Sequence, residues 1–278
     1  MASPAAAVGY DCALGPSSAN GPGHGRLFEP AGESNRRVDS WLCTGIWMTD
    51  GRPKRAGPPG VRPPIGKRSD SYDPGCTQCP RLAEFLAETH ERYPDYWARP
   101  VPSFGPADAK LCFVGLAPGM HGANRTGRPF TGDYAGILLY ETLYELGLAT
   151  AGESLSMDDG LELKGTRIAN AVKCVPPENK PLPDEIRTCN AYLKVELGEL
   201  RRVKVILALG RVAHDAVLIA MGLKRSQFQF GHGNEHAVSE TQYLVDSYHC
   251  SRYNTSTKVL TVPMFKKVVT RACKLAGL

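Results

Sequence analysis

The stretch LCFVGLAPG (Leu111–Gly119) decides how this chain folds. Its first seven residues are apolar on both faces and too few for a buried helix. Pro118-Gly119 stops them, so they read as a strand buried on two sides. Downstream, Tyr134–Leu148 has apolar residues at helical spacing (Ile137, Leu138, Tyr140, Leu143, Tyr144, Leu148), with Asp133 at the N-cap position. RIANAVK (Arg167–Lys173) is a second strand, and Pro183–Leu200 a helix with Pro183 in its first turn. VKVILAL (Val203–Leu209) is a third strand, and Gly210 turns the chain into helix Arg211–Met221. Thr241–Tyr248 is a fourth strand, and a helix over Thr261–Leu275 closes the chain. Upstream, RLAEFLAETH (Arg81–His90) is also helical by its spacing. Strands that alternate with helices and are apolar on both faces predict an α/β fold, a parallel sheet covered on two sides. In such sheets ligands bind beyond the carboxyl ends of the strands. The chemistry is therefore expected in GLAPGMHGANRTGRPFTGD, in Cys174-Val-Pro-Pro, in GRVAH and in HCSRYN.

The composition is uneven. The 278 residues carry 33 Lys and Arg against 28 Asp and Glu, a net charge of +5. Residues 1–70 hold 9 of the 22 prolines and 11 of the 29 glycines. With few aliphatics, such a segment cannot bury enough apolar surface to fold. The expected organisation is a disordered basic tail over 1–70 and a folded domain over 71–278. Within the tail, RPKRAGPPGVRPPIGKR (Arg52–Arg68) spaces six basic residues with Pro and Gly. It reads as a solvated linker or as a mobile cationic arm for a polyanion such as DNA. Residues 71–278 carry 24 basic and 22 acidic residues, so attraction to nucleic acid there must come from the placement of charge. No run approaches the ~18 apolar residues of a membrane span, and MASPAAAVGYDCALG lacks the basic start of an export signal. A cytoplasmic protein without a membrane partner is expected.

Nine cysteines in such a chain point to metal ligation or core packing rather than disulfides. Cys76 and Cys79 form a C-x2-C pair, which can present two thiolates to one metal centre. Cys174 and Cys189 lie far downstream, 15 positions apart. Spacing alone suits zinc as readily as iron–sulfur. Cys112, in the first strand, and Cys273, in the last helix, read as small core residues.

GLAPGMHGANRTGRPFTGD (Gly115–Asp133) resembles the first motif of the family-five uracil-DNA glycosylases, the UdgB type. IANAVKC (Ile168–Cys174) resembles their Asn-containing strand, and HCSRYNTSTKVLT (His249–Thr261) their His-containing motif. The C-x2-C and the two distant cysteines resemble the four-cysteine site of iron–sulfur members of the superfamily. The resemblance runs from Cys76 to the C-terminus, and residues 1–70 have no counterpart in it. It implies a three-layer α/β/α sandwich around a central four-stranded parallel sheet, and a 4Fe–4S cluster on Cys76, Cys79, Cys174 and Cys189. It also implies excision of uracil and other deaminated or damaged bases from DNA. A monomer is expected.

Hydrolysis of an N-glycosidic bond needs the base out of the stack, its anion stabilised and water at the anomeric carbon. The resemblance marks Gly115, Ala117, Phe130, Asn170 and His249 as the substrate pocket. Phe130 is the candidate aromatic wall. The Asn170 amide can match O4 and N3–H of uracil together, a pattern cytosine reverses; on its residue type alone, such an Asn more often bonds local backbone. A neutral His249 donating to O2 would stabilise the departing anion, a role that can be worth ~3 kcal/mol. Leu116 stands where many relatives carry a polar or acidic residue, which leaves Asp133 as the nearest carboxylate for water or for the cationic sugar. Asp133 is equally a good helix cap. Arg125, Arg128 and Arg252 are candidate phosphate contacts, as are the free N–H groups at the start of helix Arg211. Tyr253 is the candidate wedge that fills the gap left by the flipped base. Cys250 replaces the Pro usual after this His. His214 reads as an ordinary helix residue, and His232, in FGHGNEH, as a backbone contact to DNA. No lysine in these motifs suggests a Schiff base, so the expected product is an abasic site. The competing reading is a non-catalytic iron–sulfur protein that binds nucleic acid, which would need no Asp133, Asn170 and His249 set.

Overall fold

The computed structural model describes residues 69–278. The Pro/Gly-rich segment and its basic arm therefore lie outside the described residues, apart from the last two positions of 1–70. The elements run α1 (Pro80–Arg92), β1 (Leu111–Gly115), α2 (Ala123–Thr126), α3 (Tyr134–Glu145), β2 (Thr166–Asn170), α4 (Pro183–Glu199) and β3 (Val205–Leu209). Then follow α5 (Arg211–Ala220), β4 (Glu235–Ala237), β5 (Tyr243–Ser247), α6 (Arg252–Ser256) and α7 (Val262–Ala276). The sheet order is β2-β1-β3-β5-β4. The first four of these strands are parallel, and they are the four expected from the apolar runs. The fifth, β4, pairs antiparallel with β5 at the edge. It has only three residues, with exposed or half-buried side chains, so it leaves no apolar run to read.

Alternation along the strands divides the core. Leu111 and Phe113 of β1, with Ile168 of β2, Leu207 of β3 and Val245 of β5, face α3 and α7, where Leu139, Leu143, Phe265 and Val269 meet them. Cys112, Val114, Ile206 and Leu244 face the other way, against Leu193 of α4 and Ala213, Ala216 and Val217 of α5. Each Leu, Val or Phe buried this way contributes about 1.5–3 kcal/mol. A third cluster ties α1 to the chain beyond β2, with Leu82 and Leu86 against Val172, Val175, Cys174 and Cys189.

One charged network fixes the end of β2. Lys173 Nζ lies 2.7 Å from Glu196 of α4, Arg167 Nε lies 2.9 Å from the same carboxylate, and Ser103 donates to it at 2.8 Å. Burial pushes the Glu196 carboxyl up, but the Lys173 and Arg167 charges outweigh it and hold it down at about 2. Removing one partner of such a pair leaves an uncompensated buried charge, a loss of about 3–5 kcal/mol. The segment from Asn170 to Cys174 is therefore held at both ends, by the sheet and by α4.

Candidate active site

The expected residues converge where the parallel strands end. Gly115 closes β1 opposite Asn170, the last residue of β2. Only a glycine fits there: a Cβ would come 2.5 Å from Asn170 Oδ1 and 2.6 Å from Phe130 Cζ. The missing side chain thus lets the amide and the aromatic ring share one small space. Phe130 reaches it from the loop before α3 with a left-handed backbone, φ 54°, a strained conformation of the kind that clusters at ligand sites. Its ring lies over the His249 imidazole, centroids 5.9 Å apart. Asn170 is buried, and its Oδ1 has no hydrogen-bond partner. A buried polar atom left unmade costs about 1–3 kcal/mol, and among the described residues Asn124 Oδ1 and Thr166 Oγ1 share this state with Asn170 Oδ1.

Burial pushes the His249 imidazole down to about 4, so it is neutral over the physiological range. The loop that follows is braced by hydrogen bonds where a proline is absent. Asn254 Nδ2 donates to the His249 carbonyl at 2.8 Å, the Ser251 hydroxyl accepts from Asn254 N–H at the start of α6, and Cys250 is fully buried in the core. Tyr253, one residue into α6, is 74% exposed, and Arg252 beside it is exposed too.

Asp133 divides its two oxygens. Oδ1 accepts the Gly136 N–H at 2.9 Å and caps α3. Oδ2 turns to the first-motif loop, where a Cβ on Gly122 would come 2.5 Å from it. Burial raises the carboxyl, against the Gly136 and Ala135 N–H groups and the Arg125 charge. Its charge also bears on the Cys250 thiol, which places it beside the His249 segment.

The candidate phosphate contacts fare differently. Arg125 is half-buried and donates to the His121 and Gly132 carbonyls, so it braces the first-motif loop. Arg128 is not a surface group. It is buried, bonded to Asp159, Ser154 and the Met157 carbonyl, because a guanidinium inside needs every donor matched. Arg211 is exposed and bonds Asp215 one turn on. His232 is turned inward: Nδ1 accepts the Tyr248 N–H at 3.1 Å, and the ring also bonds the Met264 carbonyl. Leu116, Gly210, Phe230, Tyr248, His249 and Asn254 line one open cleft. Phe230 carried no motif of its own, and Asn254, inside HCSRYN, was not singled out there. The pair of aromatics in FQFGHG, ahead of a Gly-flanked His, was the only signal for the first.

Cys76, Cys79, Cys174 and Cys189 line a single cavity with Leu82, Ala83 and Val172. Lys173 N–H donates to Cys189 Sγ at 3.3 Å, and Tyr192 bonds Cys76. Burial pushes the Cys79 thiol up to about 11, with the nearby Cys189 adding to it, and it raises Cys174 and Cys189 as well. Four thiolates there require a cation.

Comparison with known proteins agrees with this geometry. The family model for the uracil DNA glycosylase superfamily matches residues 102–272. The chain is 48% identical over 208 residues to the type-5 uracil-DNA glycosylase of Thermus thermophilus, covering 73% of this chain and 94% of that protein. It is 40% identical over 206 residues to the type-5 uracil-DNA glycosylase of Pyrobaculum aerophilum, covering 73% and 89%. The type-4 uracil-DNA glycosylase of Sulfurisphaera tokodaii is 32% identical over 174 residues, covering 60% and 72%.

Proposed function

Because this chain belongs to the uracil-DNA glycosylase superfamily, we propose that it flips deaminated bases out of DNA and cleaves their N-glycosidic bond, leaving an abasic site. The buried, unpartnered Asn170 Oδ1 carries this reading. Deamination turns the base edge from an acceptor beside an amino donor into an N–H beside a carbonyl. The Asn170 oxygen suits that N–H, and its amide nitrogen suits the carbonyl. Uracil offers the pair at N3–H and O4, hypoxanthine at N1–H and O6. One amide therefore serves both, and this supports a range of lesions rather than uracil alone.

The remaining roles follow from chemistry at named atoms. Phe130 stacks on the extruded base, and Tyr253, exposed beyond His249, enters the stack it leaves. As the bond to the sugar breaks, its electron pair goes to the base, and neutral His249 donates a hydrogen bond to the growing charge on O2. Water adds to the anomeric carbon, oriented by Asp133, whose charge also offsets that of the cationic sugar. Gly115 and Ala117 keep the pocket floor small. Arg125 and Arg252 are the candidate DNA contacts, and the basic stretch Arg52–Arg68 is a candidate further contact to phosphates. Cys76, Cys79, Cys174 and Cys189 fit a 4Fe–4S cluster, which would staple α1, the end of β2 and α4 together and take no part in bond cleavage.

The test is base release from duplexes carrying uracil, hypoxanthine, hydroxymethyluracil or ethenocytosine. Release of uracil and hypoxanthine, with abasic sites as product, is expected. DNA binding without release of any base would favour the non-catalytic alternative.

A further inference from the structure

Asp246, near the end of β5, is fully buried, and its carboxylate has three nitrogen neighbours. His214 Nδ1 of α5 lies 2.7 Å from Oδ1, His236 Nε2 of β4 lies 3.2 Å from Oδ2, and Gly231 N–H donates to Oδ2 at 3.3 Å. The other ring nitrogen of His214 lies 3.0 Å from the Phe228 carbonyl. Both nitrogens of His214 therefore face acceptors, and an imidazole can satisfy two acceptors only when both nitrogens carry protons. A metal is the other occupant that two His and one Asp suggest. Two ligands on one zinc, at ~2.0–2.1 Å each, lie about 3.3 Å apart, whereas 2.7 Å is the length of a charge-assisted hydrogen bond.

The pair holds a particular piece of chain. Gly231, bound to Asp246, sits between Phe230, which lines the cleft, and His232, which accepts the Tyr248 N–H and stacks on the Tyr248 ring at 5.0 Å. Phe230 in turn rests against the His214 ring at 5.6 Å. Tyr248 is the residue before His249. One carboxylate thus sets the cleft wall and the backbone entering the oxyanion-stabilising histidine.

We propose that His214 and Asp246 are positioning residues for base excision, a protonated imidazole and a carboxylate that hold Phe230 and the Tyr248–His249 backbone in place for the reaction. The proposal rests on the glycosylase reading above. The groups around His214 are Asp246 of β5, His236 of β4, and Asp215 on its own helix, the last paired with Arg211 and with Arg225. Burial lowers the basicity of His214, but Asp246 outweighs it and the net direction is upward. The imidazolium that the two acceptors at its ring nitrogens call for is lost on the alkaline side, where one of its two bonds must go.

Long-range proton–nitrogen spectra of the full chain, with His214→Phe as the assignment control, read the protonation directly. At neutral pH both ring nitrogens of His214 are expected to carry protons, with His249 and His232 carrying one each. In single-turnover assays on a uracil duplex, Phe230→Ala, a half-exposed position that leaves the buried pair intact, should slow excision about tenfold to a hundredfold while melting temperature holds. Asp246→Asn should slow it similarly and shift the alkaline limb of the wild-type pH profile. A neutral His214, wild-type rates in both variants, or one zinc per chain that is lost in His236→Ala would overturn the proposal. A wild-type chain that releases no base would sink the function reading instead, and the nitrogen spectrum would still decide the state of the pair.

Discussion

The Phe130 ring lies over the His249 imidazole with planes 28° from parallel, and Gly115 faces the edge of that ring. Aromatic wall and anion-stabilising donor are therefore one packed unit. Phe130→Ala should weaken binding of an extruded base by about 1–3 kcal/mol, the range for losing a base–aromatic stack. Titrating a uracil duplex against a catalytically silenced background gives that number; an unchanged affinity would remove Phe130 from the pocket.

Asn170→Ala and His249→Ala should each lower the single-turnover rate far more than they lower DNA affinity, because their contacts strengthen as negative charge grows on the base. For His249 a loss of roughly 10²–10³ is expected. The imidazole is also an acid sensor of the fold. Its proton affinity is lower in the folded chain, about 4 against 6.5 for the free side chain, so the unfolded chain binds more protons between those values. Its contribution to stability is complete above that window and is lost as pH falls through it. Melting curves at neutral and mildly acid pH should thus differ less for His249→Ala than for the wild type.

Asp133→Asn separates capping from chemistry. Asn caps a helix about as well as Asp, so melting should hardly change. An amide neither takes a proton nor opposes positive charge on the sugar, so base release should slow by roughly two decades or more. Burial raises the Asp133 carboxyl, so the wild-type rate should fall with acid at a pH above the ordinary carboxylate range, and the variant should lack that limb. A fully active, equally stable variant would leave Asp133 as a cap.

Cys76→Ser and Cys189→Ser should bleach a brown protein, reduce its iron and lower its yield. Iron analysis and the visible spectrum of anaerobically purified chain decide this. Stoichiometric zinc without iron would contradict the cluster.

Deleting residues 1–68 should weaken binding to every DNA alike and flatten the dependence of affinity on salt, since only phosphate contacts and their counterions are lost. Affinities at several salt concentrations, with and without a lesion, test it. A changed lesion preference would count against a purely electrostatic arm.

The sheet was legible because its four parallel strands are buried on both faces and read as apolar runs. The edge strand Glu235–Ala237 was not, because its pattern is set by pairing with β5 rather than by burial. Strand ends were overrun: Arg167–Lys173 becomes Thr166–Asn170, since Lys173 turns toward α4, its Nζ to Glu196 and its N–H to Cys189. The short motifs were legible, and the structure brings Gly115, Phe130, Asn170 and His249 from them together at the strand ends. Arg128 was misleading because a basic residue in a motif loop gives no sign of Asp159, 31 positions away, that draws it inside. The hub at Asp246 was invisible for the same reason: His214, Gly231 and His236 reach it from three separate segments, and no spacing joins them.

The role proposed for the unmatched Asn170 oxygen, accepting from the N–H of an extruded base, has a consequence for what the enzyme can tell apart. Thymine and guanine carry the same N–H and carbonyl edge as uracil and hypoxanthine. An amide facing that edge cannot sort damaged letters from these two normal ones. The sorting must fall first to the helix, which gives up a mispaired nucleotide more cheaply than a paired one. Normal bases that have lost their complement, such as thymine opposite guanine, are then the ones this chemistry leaves least protected.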